Sequence, residues 1–143
     1  MSLKNFGGVL DFAIQLENDE ASFVQDALDN TESKDCQDLL ERFLRENKKN
    51  SKTLTRARQE NVTEMILEPI QGLEAENYQL EKVDPGQLNK SEILQKLKEM
   101  EDRAESFYQQ AAQRLKPVSD VASTFQRLAK KRRTRMQDLD GLT

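Results

Sequence analysis

The chain has 143 residues, 36% apolar and 34% charged, with no Trp and no His, a balance that suits one all-α domain with narrow buried stripes and wet outer faces. A net charge of −4 and a pI near 5.1 disfavour a nucleic-acid binder, and the lack of any run of ~18 apolar residues argues against a membrane span. Without His there is no usual general base at neutral pH, no imidazole metal ligand, and no Ser-His or Cys-His nucleophile pair.

Residues 1–12 have neither the basic start nor the apolar core of a secretory signal. Cys36 stands alone, so no internal disulfide is expected and a cytoplasmic setting fits. The paired Gly7-Gly8 lies in no phosphate-binding motif.

Apolar spacing predicts four helices. The first covers about 9–29, with Leu10, Ala13, Ile14, Glu17, Ala21, Val24 and Leu28 on one face. Asn30-Thr31-Glu32-Ser33 breaks it, and Ser33 or Asp35 is the expected cap of the second helix. That helix covers about 34–65 and carries Leu39, Leu40, Phe43, Asn47, Asn50, Leu54 and Ala57 on its stripe. Glu68-Pro69 and Gly72 then disturb the pattern. Residues 66–90 read as a long crossover connection with a turn at Asp84-Pro85-Gly86. Its apolar residues (Ile66, Leu67, Ile70, Leu73, Tyr78, Leu80, Val83) are expected to pack along the bundle.

The third helix is expected from a cap at Ser91 to about Leu115, striped by Leu94, Leu97, Glu101, Ala104, Tyr108 and Ala111. Lys116-Pro117 ends it, because proline disfavours helix in the residue before it. The fourth is expected from Ser119-Asp120 to about Leu139, striped by Val121, Phe125, Leu128, Arg132 and Arg135, with Gly141 as the stop. Phe6, Phe12, Phe23, Phe43 and Phe125 read as core, and Phe107 and Tyr108 as packing residues.

The two halves repeat. Leu16-Glu17 and Ser22-Phe23 align with Met100-Glu101 and Ser106-Phe107, while the stretch from Arg42 to Asn50 can be laid on that from Arg127 to Arg135. Two helix hairpins joined by a crossover are the simplest architecture.

Each stripe is interrupted near its middle by polar residues: Glu17, then Asn47 and Asn50, then Glu101, then Arg132 and Arg135. Burying one unpaired charge costs several kcal/mol, but two carboxylates and two guanidiniums sum to zero and pair bidentately. The expectation is a buried cluster in which Glu17 and Glu101 face Arg132 and Arg135, with the asparagines bridging. The plainer readings are glutamates on a helix rim, asparagines in a polar surface run, and arginines snorkelling to water.

Leu16-Glu17, Ser22-Phe23, Met100-Glu101, Ser106-Phe107-Tyr108 and the long crossover resemble the rubrerythrin branch of the ferritin-like superfamily. That resemblance implies a four-helix bundle in which a Glu from the first and third helices, and a Glu-x-x-His from the second and fourth, hold two iron or manganese ions. Glu17 and Glu101 occupy the first two carboxylate positions. The other ligand positions read Asn47-Lys48-Lys49-Asn50 and Arg132-Arg133-Thr134-Arg135, so four of six ligands are replaced. Residues 121–137 contain no acid, and two guanidiniums repel a dinuclear cation site.

The implied protein has a vestigial site, no cofactor and no catalysis, and serves as a structural or interaction module, expected as a homodimer with its protein partner unidentified. The alternative is a rubrerythrin-like oxidoreductase or ferroxidase with weakly bound iron or manganese at Glu17 and Glu101, helped by Glu20, Glu46 or Glu105 if a helix rotates. A helical adaptor unrelated to ferritins is the third reading, and predicts no convergence of Glu17, Glu101, Arg132 and Arg135. The run Lys130-Lys131-Arg132-Arg133 lacks the interleaved aromatics of a nucleic-acid surface and reads as a solvated helix end. Cys36 reads as an inert thiol.

Overall fold

A computed structural model of the chain describes residues 3–61 and 70–142. It is all-α, with four long helices and no strand among the described residues. These are α1 (Phe6–Leu28), α2 (Gln37–Glu60), α3 (Lys90–Arg114) and α4 (Ser119–Asp140). Among the described residues, no helix is long and apolar enough to cross a membrane.

Caps explain where the helix ends depart from the apolar pattern. α1 begins earlier than expected because Asn5 accepts a hydrogen bond from the Gly8 N–H at 2.6 Å. The expected cap at Ser33 or Asp35 is corrected. Asn30 caps a short 3-10 turn, Thr31–Cys36, and α2 starts after it without a side-chain cap. The Ser33 hydroxyl instead turns inward and donates to the Ala27 carbonyl at 2.6 Å. The start of α3 is corrected in the same way. Asn89, not Ser91, forms a capping box with Glu92, at 2.9 and 3.0 Å. The expected extension of α2 over 62–65 lies outside the described residues, as do Ile66, Leu67 and Pro69.

α1 packs chiefly on α2, and α3 on α4. Two apolar clusters fix how the pairs are set. One joins the N-terminal half of α1 (Val9, Leu10, Ala13) to Leu54 late in α2, Phe107 and Ala111 late in α3, and Val121 and Phe125 early in α4. The other joins Val24 and Ala27 late in α1 to Leu40 and Phe43 early in α2, Leu94 and Leu97 early in α3, and Leu139 at the end of α4. α2 therefore ends beside the first cluster while α3 begins beside the second, and residues 61–89 join opposite ends of the bundle.

The described part of this connection is tied down along its course. Leu73, Ala75 and Tyr78 are buried in the first cluster. The Arg114 Nε donates to the Gln71 carbonyl at 2.8 Å, and the Arg103 Nη1 to the Asn77 carbonyl at 2.9 Å. Asn30 Nδ2 donates to the carbonyls of Pro85 and Leu88 at 2.8 and 2.9 Å. Gly72 has φ of 77°, and a Cβ there would lie 2.9 Å from Arg114 Nη2, so this bend needs glycine. Leu80 is half-buried, whereas Val83, expected to pack, is exposed.

Candidate functional site

Between the two apolar clusters lies a polar layer. Glu17, Asn47, Asn50, Glu101, Arg132 and Arg135 are all buried, with Glu17, Asn47 and Glu101 at 0% exposure. The helical stripe that buries the flanking leucines and phenylalanines carries these residues inward, one or two from each helix. The rim, surface and snorkelling readings of these residues are therefore corrected.

Arg132 is the hub. Its Nη2 donates to Glu17 Oε2 at 2.6 Å, and its Nη1 to Glu20 Oε1 at 2.7 Å and Glu101 Oε1 at 2.9 Å. Arg135 donates through Nη2 to Glu20 Oε1 at 2.6 Å and to Asn47 Oδ1 at 2.9 Å. Its Nε lies 3.0 Å from Glu101 Oε1, but is not aligned for a hydrogen bond. The Arg135 guanidinium stacks over Phe43, 3.9 Å from the ring centroid. Asn47 Nδ2 donates to Glu20 Oε1 at 2.7 Å, while Asn50 Nδ2 reaches Glu17 Oε1 at 3.3 Å. The Tyr108 hydroxyl donates to Glu17 Oε2 at 2.5 Å.

Glu20 is a full member of the centre, where the sequence suggests only a helper. It stands three residues after Glu17, hence on the same helix face, and that spacing is the signal that points to it. Its presence corrects the expected charge balance: three carboxylates meet two guanidiniums. A proton can absorb the difference. Burial drives the Glu101 carboxyl well above its usual range, opposed by Arg132 and reinforced by Glu20. For Glu20, burial is outweighed by Arg132 and Arg135, which hold its carboxyl down at about 2. Of the two, Glu101 is therefore the one that holds a proton and Glu20 the carboxylate. Burial would lower the Arg132 guanidinium, but Glu101, Glu17 and Glu20 together push it up, and it stays charged. Burial and the neighbouring Glu17 raise the Tyr108 phenol, which stays a donor.

Glu46 and Glu105 are not part of this centre. Glu46 reaches Arg135 Nη1 only at 3.7 Å from a half-exposed position, and Glu105 pairs with the exposed Arg133 at 2.7 Å. Lys130, Lys131 and Arg133 are exposed while Arg132 and Arg135 turn inward, which divides the basic run between two environments. Cys36 is buried, its thiol donates to the Ser33 carbonyl at 3.3 Å, and burial raises its pKa.

The centre does not fit a di-metal group. Carboxylate oxygens bind such ions at about 2.0–2.2 Å, and the Arg132 nitrogens hold those oxygens in charge-assisted hydrogen bonds. Among the described residues, no three His, Cys, Asp or Glu side chains are grouped to hold a metal ion. The arrangement instead ties α1, α3 and α4 together through ion pairs, and α2 to them through the hydrogen bonds of Asn47 and Asn50.

Compared with known proteins, the chain matches no family model, no curated sequence and no solved structure at a significant level.

Proposed function

We propose that the chain is a ferritin-like bundle of the rubrerythrin type whose di-metal chemistry is gone, and that it serves as a non-catalytic structural or interaction module. The observation that carries this reading is Arg132, whose guanidinium lies within 2.6–2.9 Å of Glu17, Glu20 and Glu101. A positive charge thus takes the place where the family resemblance calls for cations. The paired hairpins, the end-to-end connection and the repeated positions of Glu17 and Glu101 support the same ancestry. In this reading the module is cytoplasmic and acts as a homodimer.

Protein produced with iron and manganese in the medium, then analysed for metal and for solution mass, tests the proposal. The expected result is a dimer carrying far less than one metal ion per chain. Two tightly held ions per chain would overturn it in favour of the alternative, a di-iron oxidoreductase or ferroxidase using Glu17 and Glu101. A monomer would remove the homodimer.

A further inference from the structure

A groove of about 350 Å³ opens between α1, α3 and the connection near 78–85, a size at the small end of ligand pockets. Phe12, Leu16, Phe23, Tyr78 and Met100 give it apolar walls. The buried side chains of Glu20 and Arg132 line its deep end, so the groove reaches the ion cluster from outside.

These two deep groups differ in what they still offer. Arg132 Nη1 and Nη2 are committed to carboxylates. Both oxygens of Glu17, both of Glu101 and Oε1 of Glu20 accept N–H or O–H donors. Glu20 Oε2 accepts none, although it is buried. A group that donates is therefore matched at the deep end, and one that only accepts is not. Arg132 and Arg135 keep Glu20 a carboxylate, so this open acceptor is anionic. Asp19, Asp26, Glu81, Lys82 and Arg103 also line the groove, and Arg103 already donates to the Asn77 carbonyl.

We propose that this groove binds a small organic ammonium, with its head at Glu20 Oε2 and its apolar body along Phe12, Phe23 and Met100. The proposal stands independently of the chain's ancestry, because it rests on the groove and on one carboxylate oxygen.

Titration of the isotope-labelled full chain with benzylammonium, followed by amide chemical shifts, tests it. Saturable shifts are expected around Leu16, Phe23 and Met100, with benzyl alcohol and phenylacetate binding at least about tenfold more weakly. Glu20→Gln is expected to erase the preference for the ammonium over the alcohol. Should that variant not fold, Ser22→Trp at the exposed rim of the groove leaves the cluster intact and is expected to block entry. No saturable shift up to about 10 mM benzylammonium, equal affinity for the three probes, or undiminished binding in both variants would overturn the assignment.

Discussion

Glu101 and Glu20 lie in the same buried layer and are driven in opposite directions. Both feel burial first, which raises a carboxyl. Both are also pulled down by Arg132 and Arg135; Glu20 falls to about 2, whereas Glu101 carries in addition the repulsion of Glu20 and rises well above 4.5. Their contributions to stability therefore have opposite signs against pH. Glu20, depressed from 4.5, stabilises the fold above that value and loses its contribution as pH falls toward about 2. Glu101, raised, stabilises fully below 4.5 and loses its contribution as pH climbs toward its folded value. Glu101→Gln keeps the shape and the donor of the protonated acid but cannot ionise. Its melting temperature relative to the parent protein is expected to rise steadily as pH increases from 4.5. Thermal melts of both proteins across the acid-to-neutral range measure this, and parallel curves would show that Glu101 holds no proton in the fold.

At the scale of the helix, the interiors were legible and so were the ends of α1 and α3 and both ends of α4, but the caps were not. Leu10, Ala13, Val24, Leu94, Leu97 and Leu128 fall on the buried faces that their spacing predicts. The caps escaped because asparagine and serine are both good caps, and only the folded backbone decides which one faces the open N–H groups. Ser33 spends its hydroxyl on the carbonyl of Ala27, and Asn89 outcompetes Ser91 by completing a reciprocal pair with Glu92. Asn89→Ala is accordingly expected to cost about 1 kcal/mol. Ser91→Ala, at an exposed first-turn position, is expected to stay within about 0.5 kcal/mol. Urea unfolding of the two variants separates the assignments, and the reverse order would return the cap to Ser91. The polar stripe breaks were legible for the same reason as the core. Glu17, Asn47, Asn50, Glu101, Arg132 and Arg135 sit on the buried faces, whereas Glu20 lies just off the predicted stripe and enters because α1 presents a broad face.

Across the whole molecule, the polar layer divides what would otherwise be one core into two apolar clusters. Ion pairs there recover through mutual attraction only part of what their burial costs, so a layer of this kind specifies the helix arrangement more than it stabilises it. Two kinds of replacement distinguish these roles. Arg132→Ala strands Glu17, Glu20 and Glu101 without their shared donor, and is expected to destabilise by about 3–5 kcal/mol. Replacing the layer as a unit removes that penalty, provided no buried polar atom is left behind. Glu17, Glu20, Asn47 and Glu101 would become Leu, Arg132 and Arg135 would become Met, and Tyr108 would become Phe, since its hydroxyl otherwise loses Glu17 as acceptor. Asn50 would become Leu as well, since its amide otherwise loses Glu17 Oε1 as acceptor. The full replacement is expected to match the parent or exceed it by about 1–4 kcal/mol in urea unfolding. A loss comparable to that of Arg132→Ala would instead show that the ion network supports the fold, and that the two apolar clusters cannot be merged through the space it fills.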